Sequence, residues 1–153
     1  MNVGIVGSRT LGSCECERAP MEWMRSPEGV EHRQTCNLLR EQGRMREIVV
    51  RLATANPDDL NIISGKAPGA DTLAKQACDV LSVRCTEYPP AAGDEPFAIR
   101  AHARNQRIVD ESDMLVAVFD RGPRSPGTSD TVRRALAKGI PVYVFHNGRW
   151  AQS

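Results

Sequence analysis

LNIISGKAPGADTLAKQA, at residues 60–77, is the stretch that decides the fold. Its apolar beginning predicts a buried strand, and ADTLAKQA has the composition of a helix. In the loop between them, glycines permit backbone angles closed to other residues and let a ligand approach the main chain, while Pro68 stiffens the loop. Asp71 is predicted to cap the helix. Because a helix N-terminus above a parallel sheet attracts anions, phosphate is the first ligand to consider; the alternative is a tight connection without a ligand.

The composition is that of one soluble domain without a strong electrostatic preference. The 153 residues suffice for a single core, and charged residues (25%) and hydrophobic residues (41%) occur in ordinary proportions. A net charge of +1 creates no global field toward nucleic acid or membrane. No apolar run approaches the roughly 20 residues of a membrane span, so we expect no membrane partner. Five cysteines without a signal-peptide pattern predict reduced thiols in the cytoplasm.

Four more strands are predicted around this stretch, at residues 2–7, 83–89, 114–119 and 141–146. Helical patterns cover residues 30–55, with a bend expected near Gly43, residues 96–112, and the segment after Thr128. Strands that alternate with helices indicate a parallel α/β sheet with right-handed crossovers. The predicted strand order is 3-2-1-4-5, which puts a topological switch point between the first and fourth strands. Such sheets bind ligands at the carboxyl ends of the strands that flank this point.

Three loops fall at that edge of the sheet and together predict one pocket. After the first strand, a hydroxyl at Ser8 and a planar guanidinium at Arg9 suit a phosphate or a carboxylate. In the last loop, Thr128 or Ser129 is predicted to cap a helix whose first turn includes Asp130. The candidate ligand-binding residues are Gly7, Ser8, Arg9, Gly65, Lys66, Gly69, Asp71, Gly127, Thr128 and Ser129, together with Asn105 on the helix before the fourth strand.

Residues 13–29 carry two prolines and no sustained periodicity, which predicts an irregular insertion. Cys14 and Cys16 form a CxC pair, and His32 and Cys36 follow at helical i, i+4 spacing. These residue types bind zinc, but the spacing differs from the usual zinc motifs. We therefore predict ordinary free thiols, with neither a metal nor a cofactor.

Arg100, Arg104 and Arg107 can share one face of the helix at 96–112. The simplest interpretation is a solvated basic stripe. A surface for single-stranded DNA is the alternative, which near-neutral net charge and an aromatic content of 5% disfavour. The proline- and glycine-rich loop at 89–96 is a candidate lid.

The ordered motifs GIVGSR, SGKAPGADTLA, RAHARNQRIVDESDMLVAVF and SPGTSDT resemble the SLOG superfamily of Rossmann-like nucleotide-binding proteins. The resemblance is strongest to the small YspA-type (cpYpsA-related) members and extends to the Rossmann core of Smf/DprA proteins. It covers about residues 1–12 and 60–146. It implies a three-layer Rossmann-like α/β fold with a five-stranded parallel sheet, and the length of the chain predicts that one domain spans residues 1–153. It further implies a nucleotide or nucleotide-derived ligand and a homodimer.

The LOG branch of this superfamily implies an enzyme that releases the free base from nucleoside 5′-monophosphates. Arg104 and Asn105 fall where this branch has its Arg-Lys pair, and residues 126–128 match the end of its PGGxGTxxE motif. The catalytic Glu of that motif falls on Thr131, with Asp130 one residue earlier. In a LOG-like hydrolase, Arg104 would orient the phosphate and Asp130 would assist departure of the base.

Asp71 and Glu111 are the other carboxylates that might serve such a reaction, and the sequence selects neither. A nucleotide-binding module is therefore the leading interpretation. The alternative is a LOG-like nucleoside-monophosphate N-glycosidase, and the second alternative is DprA-like binding of single-stranded DNA.

Overall fold

The computed structural model describes residues 1–121 and 123–153. Within them, the strands are β1 (Asn2–Gly7), β2 (Asn61–Ser64), β3 (Arg84–Glu87), β4 (Met114–Val118), β5 (Val142–His146) and β6 (Arg149–Gln152). They form one sheet in the order β3-β2-β1-β4-β5-β6. The predicted order 3-2-1-4-5 is confirmed, and these five strands are parallel. A sixth strand, β6, pairs antiparallel with β5 at the edge.

The helices of the described residues are α1 (Met21–Arg25), α2 (Pro27–Thr35), α3 (Asn37–Ala55), α4 (Ala70–Leu81), α5 (Phe97–Glu111) and α6 (Pro126–Lys138). Met45 of α3 and Leu73 of α4 belong to the core on one face of the sheet. Ile108 of α5 and Ala135 of α6 belong to the core on the other face. The result is a three-layer, Rossmann-like α/β fold. No helix of the described residues has the length and apolar character needed to cross a bilayer.

The segment between β1 and α3 is more helical than predicted. In place of an irregular insertion at 13–29, a 3-10 turn (Glu15–Arg18) precedes α1 and α2. Ser26 caps α2, because its hydroxyl accepts a hydrogen bond from the N–H of Gly29 at 3.1 Å, and the next residue is a proline suited to the first helical position.

The single helix predicted for residues 30–55, with a bend near Gly43, is also wrong. The chain forms two helices that are separated at Cys36, whose backbone is extended with φ −62° and ψ 120°. Gly43 lies within α3, which continues through it.

Candidate functional site

A cavity of about 490 Å³ lies at the carboxyl edge of the sheet, beside the ends of the paired strands β1 and β4. This is the predicted switch point, and the volume suits a small-molecule ligand. Its walls come from the loop after β1, the beginning of α4, one side of α5, and the beginning of α6. The candidate residues that line it are Gly7, Ser8, Arg9, Asp71, Arg104, Asn105, Gly127 and Thr128.

Ser8 and Arg9 have different surroundings in the loop after β1. Ser8 is buried, and its hydroxyl accepts a hydrogen bond from the N–H of Asp120 at 3.0 Å, which fastens this loop to the end of β4. Arg9 is exposed, and its guanidinium carbon lies 5.5 Å from the ring centre of Phe97. Arg9 is therefore a cation at the rim of the cavity that a ligand can reach.

At the beginning of α4, the glycine loop packs against the rest of the protein. Gly69 occupies the N-cap position with φ +82°, and a side chain there would collide with the backbone of Ser8 and Arg9. The N–H of Ala70 donates to the carbonyl of Ser8 at 3.2 Å. Asp71 is consequently not the N-cap, and the prediction that it caps this helix is wrong. It lies in the first turn, and its carboxylate accepts a hydrogen bond from the N–H of Ala67 at 3.1 Å.

Asp71 and Arg104 form a buried pair, with 3.9 Å between Oδ2 and Nη1. Arg104 also donates from Nη1 to the carbonyl of Gly65 and from Nε to Asn105 Oδ1 at 2.8 Å. A side chain at Gly65 would collide with this guanidinium. Burial raises the pKa of Asp71 to about 6, in opposition to the hydrogen bond from Ala67 and the positive charge of Arg104. Burial also disfavours the charged form of Arg104, and because this group is a cation its pKa is lowered.

Three candidate residues of the glycine loop between β2 and α4 lie outside the lining of the cavity: Gly65, Lys66 and Gly69. Lys66 is exposed and has φ +55°. Gly69 lines a separate groove between α3 and α4. The cavity therefore receives Ala67 from this loop and Asp71 from the first turn of α4, while the glycines of the loop permit close packing of one protein segment on another.

The beginning of α6 is more open. The helix begins at Pro126 with Ser125 in the N-cap position, so Thr128 and Ser129 lie in the first turn and neither caps the helix. Proline at the first helical position is the signal that would have placed this boundary. The Ser125 hydroxyl donates to Thr128 Oγ1 at 2.7 Å. No acidic residue lies in the first turn, and a side chain at Gly127 would meet no atom within 4 Å.

Asp130 and Ser129 do not line the cavity. The Asp130 carboxylate accepts a hydrogen bond from Arg134 Nε at 2.7 Å, pairs with Arg133, and lies 3.4 Å from His102 Nδ1. The two arginines lower the pKa of Asp130 to about 2. A carboxylate held in this way stays ionised at neutral pH and does not donate a proton.

Several residues of the cavity had no predicted role. Phe97, the first residue of α5, lines it with an exposed fraction of 50%, and Arg9 and Arg100 lie 5.5 and 5.7 Å from its ring centre. The sequence signal that could have identified Phe97 is its place at the beginning of α5, which follows β3 and a loop at the carboxyl edge of the sheet. Other lining residues without a predicted role include His102, Asp120, Ser125 and Thr131.

The arginines of the predicted basic stripe are engaged within the protein. Arg104 is buried, and Arg100 donates to the carbonyls of Ala91 at 2.7 Å and Glu95 at 3.0 Å. Arg107 pairs with Glu111 at 2.9 Å. The three arginines thus have three different surroundings and do not form one solvated stripe.

One solved structure with a similar fold is that of DNA processing protein A (DprA) from Streptococcus pneumoniae, with a TM-score of 0.60 and 18% sequence identity. The match covers 94% of this chain and 49% of that one, so the chain spans about half the length of DprA. No protein-family model matches the chain, and no curated protein sequence does. At this identity the likeness shows the fold, which is the Rossmann-like α/β fold that the strand order also defines.

Proposed function

We propose that the protein is a nucleotide-binding module of SLOG type, with the ligand in the cavity beside β1 and β4. The observation that carries the proposal is that this one cavity combines an open helix N-terminus, at α6, with a reachable cation, at Arg9. The first N–H groups of a helix have no partner within it, and the helix dipole favours a negative charge there. A phosphate group at Gly127 and Thr128 would satisfy these donors while Arg9 neutralised its charge.

The rest of the cavity suits the base and sugar of a nucleotide. Phe97 presents a half-exposed aromatic ring, on which a base of any kind can stack. Asn105 and His102 supply polar groups from α5 that can bind hydroxyls or base edges. The ligand class is therefore a mononucleotide or a molecule that contains one.

The test is a panel of nucleoside monophosphates, cyclic mononucleotides and dinucleotides, each compared with the corresponding nucleoside, with melting temperature and calorimetric Kd as readouts. We expect nucleotides to bind and nucleosides to bind much more weakly. Arg9→Ala and Thr128→Ala should each raise Kd about tenfold or more, since charge-assisted hydrogen bonds contribute about 1.5–3 kcal/mol. Arg51→Ala is the matched control, because Arg51 is an exposed arginine of α3 paired with Glu47, away from the cavity.

Equal binding of nucleotides and nucleosides, or unchanged Kd in both variants, would contradict this site. Steeply salt-dependent binding of single-stranded oligonucleotides, without mononucleotide binding, would favour the DNA-binding alternative that the likeness to DprA suggests. Sedimentation of the same protein tests the expected homodimer.

Hydrolysis of a nucleoside monophosphate is the second candidate function, and the raised pKa of Asp71 favours it. A carboxyl group with a pKa of about 6 that lines the cavity can hold a proton for a departing base. Asp130 lacks this property because its two arginines keep it ionised. Glu111 pairs with Tyr88 and Arg107 outside the cavity lining.

Chromatography of nucleoside monophosphates incubated with the protein tests this second function. In the reaction, water adds to the sugar carbon while the base leaves with a proton. If Asp71 supplies that proton, Asp71→Asn should abolish release of the base, and Asp130→Asn should retain it. Nucleotide binding without release of any base by the unmodified protein would leave the binding module as the function.

A further inference from the structure

Four potential metal ligands converge in the segment between β1 and α3. They are Cys14, Cys16, His32 and Cys36, and their ligand atoms all lie within 4.8 Å of one another. Cys14 Sγ lies 3.2 Å from His32 Nε2, and Cys16 Sγ lies 3.5 Å from Cys36 Sγ. Around a tetrahedral zinc ion, with Zn–S about 2.3 Å and Zn–N about 2.0 Å, a sulfur–nitrogen pair is about 3.5 Å apart and a sulfur–sulfur pair about 3.8 Å apart. The donors therefore already have nearly the spacing of one coordination sphere.

The four residues reach this point from three places in the chain. Cys14 precedes the 3-10 turn, Cys16 lies in it, His32 lies in the last turn of α2, and Cys36 is the junction between α2 and α3. Local backbone geometry does not bring a turn and a helix end 18 residues apart into contact. The ring of His32 also lies 5.4 Å from that of Trp23, which restricts its orientation.

This segment has almost no hydrophobic core of its own. Among the residues at 13–36 whose burial is described, only Gly29 and Cys36 are buried. Its larger apolar side chains face solvent, since Met21 and Val30 are 68% and 49% exposed. A small helical segment that buries so little apolar surface needs a disulfide or a metal to hold one conformation.

We propose that Cys14, Cys16, His32 and Cys36 bind one structural zinc ion, which fastens the loop after β1 to the beginning of α3. Three thiolates and an imidazole form a soft donor set that selects zinc over magnesium or calcium. Four protein ligands complete a tetrahedral shell and leave no position for a substrate, so the site is structural. The thiols lose their protons to solvent when the metal binds. This site is independent of the nucleotide cavity.

Elemental analysis of protein purified under reducing conditions, without an affinity tag, is the first test. We expect one zinc ion per chain, removable by a chelator with loss of melting temperature. Cobalt(II) added to the metal-free protein should give the visible absorption of a tetrahedral thiolate site, and zinc should abolish it. Cys14→Ser and Cys36→Ser should lose the metal, whereas Cys85→Ser should retain it, because Cys85 lies in β3, outside the cluster.

A variant that retains four donors guards against variants that fail to fold. His32→Cys should still bind one metal ion and shift the cobalt spectrum toward that of four thiolates. His32→Ala should bind it more weakly. A disulfide between Cys16 and Cys36 would overturn the proposal. It would be shown by protein that contains no zinc and whose mass under non-reducing conditions is lower by two hydrogens. Zinc that remains after Cys14→Ser and Cys36→Ser would overturn it as well.

Discussion

The N-termini of α4 and α6 lie at the same edge of the sheet, and each follows a glycine-containing loop. At α4, the N–H of Ala70 is bonded to Ser8, and the carboxylate of Asp71 already lies in the first turn. At α6, the first turn has no carboxylate, and Gly127 faces open space. A buried carboxylate takes the place of a bound anion at α4, whereas α6 is free to accept one.

The difference shows that similar loop sequences serve two purposes. The loop before α4 uses glycine so that the loop after β1 and the guanidinium of Arg104 can approach its backbone. The beginning of α6 uses small residues to keep the cavity open. A glycine-rich strand-to-helix connection is therefore insufficient to identify a phosphate site, and the partners of the first-turn N–H groups are the better criterion.

The largest effect is expected from Arg104→Ala, which would break the internal network at α4. Removal of one partner of a buried ion pair costs about 3–5 kcal/mol, because Asp71 would remain buried without a counter-charge. Urea unfolding measures this loss. Arg51→Ala, which removes an exposed ion pair, should cost less than about 1 kcal/mol. A loss of ligand affinity without a loss of stability in Arg104→Ala would mean that Arg104 serves the ligand and not the fold.

The pH dependence of stability isolates the carboxylate at α4. The folded pKa of Asp71 is about 6, above the ordinary value of 3.8, so the folded state holds a proton that the unfolded state releases first. Its contribution to stability is full below about pH 4 and is lost as the pH rises through about 6, a change of about 2–3 kcal/mol. Unfolding of the unmodified protein and of Asp71→Asn should therefore diverge over this range. A constant difference between the two would show that the pKa of Asp71 is not raised.

A pair of glycine substitutions compares the two helix beginnings directly. Gly69→Ala introduces a side chain at φ +82° against the backbone of Ser8 and should cost about 1–3 kcal/mol. Gly127→Ala lies in a helix beside open space and should leave stability unchanged or raise it by up to about 1 kcal/mol. Thermal unfolding measures both changes. Equal losses in the two variants would contradict the distinction between a packed and an open helix beginning.

The strands were predictable because apolar runs bounded by glycine or proline are typical of buried parallel strands. Right-handed crossovers then limited their order. The additional strand β6 escaped prediction because all four of its residues are exposed, so it has no alternating pattern. The beginning of α2 and its separation from α3 escaped prediction, because only Gly29 of its residues is buried and its beginning depends on the cap at Ser26 rather than on hydrophobic periodicity.

The site was predictable in position and less so in detail. The switch point placed Arg9 and Thr128 near one cavity, but sequence does not reveal where the guanidinium of Arg104 points. That direction depends on the carbonyl of Gly65, 39 positions away in the chain. The cysteine and histidine cluster was not predicted to bind a metal, because the spacing of its residues differs from that of the usual zinc motifs, and its ligand atoms come together only in the fold.

Two threonines occupy matching positions in the first turns of α4 and α6, and their substitution is the test with the smallest expected effect. Thr128 lies in the first turn of α6 and lines the cavity, whereas Thr72 lies in the first turn of α4, donates to the carbonyl of Ala67 at 3.0 Å, and faces the other groove. Thr128→Val should raise the Kd of a nucleotide about tenfold, since a hydrogen bond to a charged phosphate is worth about 1.5 kcal/mol.

Thr72→Val should leave nucleotide affinity unchanged, because its hydroxyl serves the loop before α4. Calorimetric titration of both variants with the same nucleotide makes the comparison, and urea unfolding shows whether either change acts through stability. If Thr72→Val weakened binding and Thr128→Val did not, the phosphate would lie at α4. Asp71 would then have to hold its proton whenever the ligand is bound, since an ionised carboxylate beside a phosphate is repelled. Nucleotide affinity would in that case fall as the pH rises through about 6, whereas a phosphate at α6 carries no such dependence on Asp71.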